Sequence, residues 1–343
     1  MEELNLNTGT AKSRILIGES ISNLKKYLPS KSKSIIITDS NLIKHYSQYF
    51  KGFNVIETGL GELNKTISTI DYIMGRFVEL EADRSTFIVG VGGGIVSDIT
   101  GFAASIYMRG LRFGFVTTSL LSQVDASIGG KNGVNYRGFK NMVGVFNQPE
   151  FVICDFEMLK TLDRNEFIGG FAEIIKHGAI KDISLFEYLE INYDKALNYD
   201  TNVLHKLVRE SIIIKSKVVE QDEREKGERR KLNFGHTFGH AIEKLTSISH
   251  GQAVAIGMCF AAKASVKKGL LKQSEFDRLE KLIKNMQLPV FLDIDSASLF
   301  NAMKKDKKRE GGEIHLVLLE SLGKALVINY TYKELEELIY DLR

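Results

Sequence analysis

Hydrophobic residues in the first half of the chain occur in short runs rich in β-branched side chains, and helical patterns separate these runs. A short apolar run bounded by turn signals is typical of a strand buried in a parallel sheet. The alternation therefore predicts a mostly parallel sheet with helical crossovers, which is a Rossmann-like α/β domain. The predicted strands are residues 34–38, 54–57, 86–91, 112–117 and 151–154.

The second half of the chain has a different pattern, in which apolar residues repeat at helical spacing over long segments. Two short apolar runs on either side of Gly323, at 314–319 and 325–328, predict a β-hairpin within this half. We therefore expect an α/β domain over residues 1–155 and a mainly α-helical domain over residues 156–343. The predicted helices are residues 165–180, 202–222, 234–245, 252–268, 274–286 and 332–342.

Composition supports two ordinary folded domains, since the chain has 343 residues, of which 43% are hydrophobic and 26% charged. The net charge is only +3 and basic residues are dispersed, so we expect no nucleic-acid partner. We find no signal-peptide pattern and no apolar run long enough for a membrane span, so we expect no membrane association. Cys154 and Cys259 match no metal or redox spacing, which favours a reduced, cytoplasmic protein.

Three consecutive glycines, 92–94, follow the predicted strand 86–91 and precede a helical pattern that contains Asp98. Glycines at such a turn allow backbone N–H groups to approach a pyrophosphate at a helix N-terminus. Ile95 stands where a dinucleotide-binding motif has its last glycine. The motif alone therefore indicates either a phosphate site or a structural turn.

A polar, glycine-rich stretch over residues 117–141 has the composition of a loop. It places Lys131 and Lys140 beside glycines and also contains Asp125 and Asn141. Lysine on such a turn can reach an anion while nearby N–H groups complete the site. From the residues alone, anion binding and a solvated loop remain equally good interpretations.

Histidines are concentrated in one part of the helical half. His236 and His240 share a helix face because they are four residues apart, and His250 begins the next predicted helix. Glu173 lies on the predicted helix 165–180, with Lys176 and His177 one turn further on. A carboxylate and two or three imidazoles from different helices would form a divalent metal site with a position open to substrate.

The chain resembles the 3-dehydroquinate synthase family over almost its whole length. The resemblance rests on ordered blocks of sequence between residues 92 and 251 and on DKK at 306–308. The most specific blocks are GGGIVSDITGFAASIYMRG, LLSQVDASIGGK, GFKNMVGVFNQP, GFAEIIKHG, DERE and NFGHTFGHAIE.

The resemblance implies an enzyme of the shikimate pathway that converts 3-deoxy-D-arabino-heptulosonate 7-phosphate into 3-dehydroquinate and phosphate. In that family NAD transiently oxidises C5, phosphate is eliminated, the hydride returns, and ring opening precedes aldol closure. The implied cofactors are NAD, bound by the α/β domain, and one zinc or cobalt ion, bound by the helical domain. The family's active site lies in the cleft between the two domains.

The resemblance also implies roles for single residues. The implied metal ligands are Glu173, His236 and His250, which leaves His177 without a ligand role. The implied NAD contacts are Asp39, Asn41, Glu62, Lys65, Gly93, Gly94, Ile95, Asp98, Thr118, Ser119, Lys140 and Thr161. The implied substrate contacts are Arg109, Asp125, Lys131, Asn141, Lys176, Lys215, Arg229, Asn233, His240 and Lys308. Of these, Lys131, Lys176, Asn233 and His240 are expected to act in catalysis.

Arg109 resembles an arginine that reaches the substrate of a neighbouring subunit, which implies a homodimer. Three positions differ from the common family pattern: Ser97 replaces glycine, Thr117 replaces proline, and Gln252 replaces the glutamate of an HGE motif. We expect Gln252 to change the charge beside a metal ligand and so the metal affinity. The alternatives are another sugar phosphate cyclase, such as an aminodehydroquinate synthase, and a metal-dependent polyol dehydrogenase.

Overall fold

The computed structural model describes residues 1–9, 11–30, 32–307 and 313–342, without the side chains of 305–307. The chain forms two compact units, Met1–Asp163 and Arg164–Arg343, whereas the sequence predicts a division at 155/156. Within the described ranges, no helix combines the length and apolar character needed to cross a membrane.

The first unit is built on a seven-stranded sheet, with a separate two-stranded hairpin. Its strands are β1 (Glu2–Asn7), β2 (Lys12–Ile17), β3 (Ser34–Asp39), β4 (Asn54–Thr58), β5 (Phe87–Gly92), β6 (Arg112–Thr117), β7 (Lys131–Tyr136), β8 (Phe139–Phe146) and β9 (Phe151–Cys154). The sheet order is β1-β2-β9-β6-β5-β3-β4, and every pair in it except β1–β2 is parallel. The five predicted strands are confirmed.

The helices of the first unit are α1 (Ser40–Tyr46), α2 (Ile67–Glu79) and α3 (Gly94–Ile106). Each of the first two begins at a side-chain cap, since Asp39 accepts from Leu42 N and Thr66 accepts from Thr69 N. Leu16, Ile36, Phe87, Val89 and Val116 belong to the buried core of this unit.

Residues 117–141 do not form one long loop, because this stretch holds a π-helical turn at Ser122–Ala126 and the β7–β8 hairpin. The hairpin turn at Arg137 and Gly138 has φ of +48° and +80°, which is typical of a two-residue type I′ turn. Gly133 pairs with Gly144 across the two strands. A Cβ on Gly133 would lie 2.6 Å from a carbonyl oxygen of the opposite strand. The glycines that made the stretch resemble a loop therefore permit close strand pairing.

The second unit is mainly helical. Its helices are α4 (Arg164–Lys181), α5 (Ile183–Leu197), α6 (Thr201–Gln221), α7 (His236–Leu245), α8 (His250–Lys267), α9 (Gln273–Asn285), α10 (Ser296–Lys307) and α11 (Tyr332–Asp341). The predicted hairpin is confirmed as β10 (Glu313–Ser321) and β11 (Lys324–Thr331). Helix α7 begins two residues later than predicted, because Gly235 has φ of +80° and separates it from the preceding 3-10 turn.

Candidate metal and cofactor sites

Helices α4, α7 and α8 pack closely because glycines lie at their contacts. A Cβ on Gly251 of α8 would lie 2.6 Å from the carbonyl carbon of Gly169 in α4. A Cβ on Gly239 of α7 would lie 3.1 Å from the carbonyl oxygen of Ala253 in α8. A Cβ at Gly251 would not fit, and one at Gly239 would fit only if its neighbour shifted, so glycine at these positions permits the close approach. The polar side chains near these contacts are therefore brought together.

Glu173 of α4, His236 at the start of α7 and His250 at the start of α8 converge within the second unit. One potential ligand atom from each lies within 4.8 Å of the other two. His236 Nε2 lies 3.5 Å from Glu173 Oε1, and His250 Nε2 lies 3.7 Å from the same oxygen. Glu173 is buried, whereas the His250 side chain is 34% exposed. One carboxylate, two imidazoles and an accessible side fit a zinc or cobalt ion that keeps a position for substrate.

Both imidazoles are held through the ring nitrogen that faces away from Glu173. His236 Nδ1 lies 3.2 Å from the carbonyl oxygen of Phe234, and His250 Nδ1 lies 3.1 Å from Glu243 Oε1. An Nδ1–H that donates to an oxygen leaves Nε2 of the neutral ring as the metal-binding nitrogen. The hydrogen-bond geometry thus presents two Nε2 atoms to one carboxylate.

The electrostatic surroundings of the two imidazoles differ. Burial, together with the ammonium of Lys176, lowers the pKa of His236 to about 3. Burial also opposes a charge on His250, but hydrogen bonds to Glu173 and Glu243 outweigh it and raise the pKa of His250 to about 9. A metal ion needs neutral imidazoles, so His236 is already in the binding form and His250 would release a proton on binding.

Two further predicted residues lie at this cluster. Lys176 forms an ion pair with Glu173, three residues earlier on α4, and its side chain is 1% exposed. The ring centroid of His240 lies 5.4 Å from that of His236 and 6.3 Å from that of His250. The predicted metal ligands and two predicted substrate contacts therefore share one place in the second unit.

The other predicted substrate contacts of this unit that the structure describes lie on α6 and on the 3-10 turn Glu228–Asn233. That turn packs against both α4 and α6. Lys215 and Arg229 are buried. Asn233 Nδ2 donates to Glu225 Oε1 at 2.6 Å. Cationic side chains such as these can stabilise an anionic ligand.

In the first unit, the glycine run after β5 forms a tight turn into α3. Thr118 N, after β6, donates to the Gly92 carbonyl oxygen at 3.0 Å. A Cβ on Gly93 would lie 3.2 Å from Ser119 Oγ, so a larger residue would fill this turn. The first N–H groups of α3 have no partner within the helix and are suited to a pyrophosphate. The predicted NAD contacts in this turn are Gly93, Gly94, Ile95, Thr118 and Ser119.

Asp39 lies at the carboxyl end of β3, next to β5 in the sheet. The direction in which successive strands are added to the sheet reverses here. Strand β4 lies on one side of β3, and the chain then crosses to the other side of β3 to form β5. Dinucleotides bind at such a switch point in open α/β sheets. Burial raises the pKa of Asp39. Asn41 is exposed on α1, and Thr161 shares a hydrogen bond of 2.6 Å with the Tyr46 hydroxyl.

Lys65 connects several of the predicted residues of the first unit. Its buried ammonium forms an ion pair with Asp98 and donates to Asn141 Oδ1 at 2.5 Å. Asn135 Oδ1 accepts from Asn141 N at 2.9 Å, and Asn135 Nδ2 donates to Glu62 Oε1 at 2.8 Å. Four residues predicted from three separate segments therefore form one polar network.

The remaining predicted residues are more dispersed. Arg109 is exposed and has φ of +71°. Lys131 and Lys140 are exposed on the β7–β8 hairpin, and Asp125 is half-buried in the π-helical turn. Lys308 lies outside the described residues.

Sequence reasoning missed Glu243 and the part that Gln252 plays at the start of α8. No pattern within α7 pointed to Glu243, because its partner His250 begins the neighbouring helix α8. Gln252 Oε1 accepts from Ser249 N at 3.1 Å and completes a capping box at the start of α8. The carboxylate beside His250 is therefore supplied by Glu243, and position 252 serves the helix end.

Comparison with known proteins divides the chain six residues after the boundary between the two units. A family model described as 3-dehydroquinate synthase N-terminal matches residues 55–169, and one described as 3-dehydroquinate synthase C-terminal matches residues 170–309. The protein named 3-dehydroquinate synthase from Thermoanaerobacter pseudethanolicus is 40% identical over 326 residues, which cover 91% of each chain. The chain belongs to the 3-dehydroquinate synthase family. A family member from Dehalococcoides mccartyi strain CBDB1 is 41% identical, with 95% of each chain covered.

Solved structures extend the family comparison to related cyclases. A 2-deoxy-scyllo-inosose synthase complexed with carbaglucose-6-phosphate, NAD+ and Co2+ is 27% identical, with a TM-score of 0.89 over 99% of this chain and 100% of that chain. A 2-epi-5-epi-valiolone synthase from Streptomyces hygroscopicus with NAD+ and Zn2+ is 25% identical, with a TM-score of 0.87 over 100% of this chain and 98% of that chain. The confirmed fold class is thus that of dehydroquinate synthase-like proteins.

Proposed function

We propose that this chain catalyses the 3-dehydroquinate synthase reaction with NAD and one zinc or cobalt ion. The substrate would be 3-deoxy-D-arabino-heptulosonate 7-phosphate, and the products 3-dehydroquinate and phosphate. The observation that carries the proposal is the convergence of Glu173, His236 and His250, with both Nε2 atoms turned to one carboxylate. The family assignment selects this reaction among those that such a metal site supports.

We propose that Glu173, His236 and His250 hold the metal ion. A divalent ion bound there would lower the pKa of a substrate hydroxyl and favour its oxidation. Lys176 lies against the carboxylate of Glu173 and would help to balance charge when an anionic substrate binds. His240 presents its ring beside the two ligand imidazoles and would hold or move a proton at the substrate.

We propose that NAD lies along the carboxyl edge of β3, β5 and β6. When bound, NAD would accept a hydride and return it within the same turnover. The start of α3 would bind the pyrophosphate, and Asp39 with Asn41 would contact the adenosine half. Lys65 would fix Asp98 and Asn141 in place. The remaining proposed contacts are Glu62, Gly93, Gly94, Ile95, Thr118, Ser119, Lys140 and Thr161.

We propose that cationic and amide side chains bind the carboxylate and phosphate of the substrate. Several dispersed charges are needed because a dianionic phosphate and a carboxylate must both be stabilised away from water. The proposed contacts are Arg109, Asp125, Lys131, Asn141, Lys176, Lys215, Arg229, Asn233, His240 and Lys308.

We also propose a cytoplasmic homodimer in which Arg109 serves the partner's substrate. Arg109 and Met108 adopt left-handed φ of +71° and +48°, and Met108 and Ile106 beside them are exposed apolar side chains. Backbone strain and exposed apolar surface together are characteristic of a contact region. Cys154 and Cys259 are free and buried, as suits a reducing compartment.

The dimer can be tested by coexpressing Arg109→Ala and His236→Ala chains that carry different tags. In a mixed dimer, one site would receive Arg109 from the partner and His236 from its own chain. We expect purified mixed dimers to recover roughly half of the wild-type activity, while each variant alone is nearly inactive. Mixed dimers as inactive as the single variants, or a monomer in sedimentation, would contradict the shared site.

The activity is tested by incubating the protein with the heptulosonate phosphate, NAD and zinc or cobalt. We expect phosphate release to equal dehydroquinate formation, with no net NADH and with loss of activity in chelator and in His236→Ala. Continuous accumulation of NADH with a simple polyol would instead indicate a dehydrogenase. Turnover of an amino analogue in preference to the heptulosonate phosphate would indicate an aminodehydroquinate synthase.

A further inference from the structure

Glu243 is a carboxylate next to the proposed metal ligands. It lies on α7, and its side chain is only 5% exposed. Its Oε1 is 3.1 Å from His250 Nδ1, at the start of the neighbouring helix α8. A carboxylate rarely occupies a buried position without a specific partner, because burial of its charge costs free energy. The contact with His250 is therefore a specific feature of this part of the unit.

The two ligand imidazoles are held in the same manner but by different groups. A main-chain carbonyl oxygen, that of Phe234, lies 3.2 Å from His236 Nδ1. The carboxylate of Glu243 takes that place for His250. A carboxylate that accepts Nδ1–H fixes the tautomer, orients the ring and makes Nε2 a stronger ligand. Of the two imidazoles, only His250 has this reinforcement.

We propose that Glu243 is a positioning residue, which holds the His250 ring so that Nε2 faces Glu173 and the metal ion. The inference rests on the proposed function, because it takes Glu173, His236 and His250 to be the ligands. The carboxylate that supports the ligand His250 is then Glu243, and not a residue at position 252. Gln252 is engaged at the end of α8, where its Oε1 accepts from Ser249 N.

Geometry separates this role from direct ligation by Glu243. Potential ligand atoms of His240, Glu243 and His250 also lie within 4.8 Å of one another. However, Glu243 Oε1 contacts Nδ1 of His250, whereas Nε2 faces Glu173 Oε1 at 3.7 Å. These nitrogens point to opposite sides of the ring, and the Nδ1 that donates to Glu243 has no lone pair for a metal. Glu243 thus contacts the side of the His250 ring that faces away from Glu173.

The test compares zinc affinity, by chelator competition, in the wild type, Glu243→Ala, Glu243→Gln and Gln252→Ala. Glu243→Ala should weaken zinc binding about 10- to 100-fold. Glu243→Gln retains an acceptor for Nδ1–H and should recover most of that loss, which a ligand role would not allow. Gln252→Ala is the matched control, since it removes a polar side chain near His250 and should change the affinity less than about twofold.

A spectroscopic readout distinguishes positioning from general loss of structure. In zinc-loaded protein with 15N-labelled histidine, the wild type and Glu243→Gln should show an exchange-protected His250 ring N–H that Glu243→Ala lacks. The resonance is assigned by its absence in His250→Gln. Wild-type zinc affinity in Glu243→Ala, or no zinc binding in Glu243→Gln, would overturn the inference. Failure of the wild type itself to bind zinc would instead overturn the proposed function on which the inference rests.

Discussion

Replacing Gly251 by alanine tests whether the close contact of α4 and α8 sets the geometry of the metal site. A Cβ at this position would lie 2.6 Å from the carbonyl carbon of Gly169. The obstructing group is main chain, so no side-chain rotation can relieve the clash. Glu173 is one turn after Gly169 on α4, and His250 is adjacent to Gly251. Any separation of the helices therefore acts directly on two proposed ligands.

The loss of stability and of zinc affinity in Gly251→Ala can be estimated from the clash between the new Cβ and Gly169. Ordinary contacts of a Cβ begin at 3.4 Å, so the helices would have to separate by roughly 1 Å. Overpacking of this kind costs about 1–3 kcal/mol, and alanine offsets little of it because Gly251 is only the second residue of α8, where helix propensity counts least. We expect the free energy of unfolding in urea to fall by about 1–3 kcal/mol. Zinc affinity should fall at least about tenfold, because metal–ligand distances tolerate only about 0.2 Å.

Gly75→Ala provides the matched control. Gly75 lies within α2, and a Cβ there would meet nothing within 4 Å. This variant should be more stable than the wild type by about 0.5–1 kcal/mol and should bind zinc unchanged. Gly251→Ala protein that binds zinc as tightly as the wild type would refute the argument that glycine contacts place the ligands.

Three further predictions concern the first unit and the thiols. Lys65→Met removes the ammonium that pairs with the Asp98 carboxylate, so the free energy of unfolding in urea should fall by about 2 kcal/mol. Unchanged stability would contradict a stabilising role for the polar network around Lys65. Burial raises the pKa of the Cys154 and Cys259 thiols to about 12, so Ellman's reagent should label neither in the native protein and both after unfolding. Burial raises the pKa of Asp39, so its contribution to stability falls as pH rises through that raised value. Asp39→Asn should therefore gain stability relative to the wild type from acidic to neutral pH in urea titrations, and a constant difference would contradict this.

The central strands could be predicted from the sequence because burial on both faces gives continuous apolar runs, as in β3 and β5. The edge strand β1 was missed because only one of its six residues is buried and its sequence is largely polar. The β7–β8 hairpin was missed for another reason. Gly133 and Gly144 are typical of loops, yet here they allow two strands to pair closely.

Helical spacing could place His236 and His240 on one face, but it could not select the ligands. That choice depends on which imidazoles reach Glu173, and this follows from the packing of α4 and α7 against α8. The resemblance to the family named the three residues that the structure brings together. The support from Glu243 depends on a contact between two helices, which spacing within one helix does not reveal.

The most direct test of the central claim is anomalous diffraction from crystals of the cobalt-loaded protein, measured on both sides of the cobalt absorption edge. We predict one cobalt peak per chain, bonded to a Glu173 carboxylate oxygen and to Nε2 of His236 and His250. A peak bonded to His240 and Glu243, or no ordered cobalt near Glu173 in protein that binds cobalt in solution, would contradict the account.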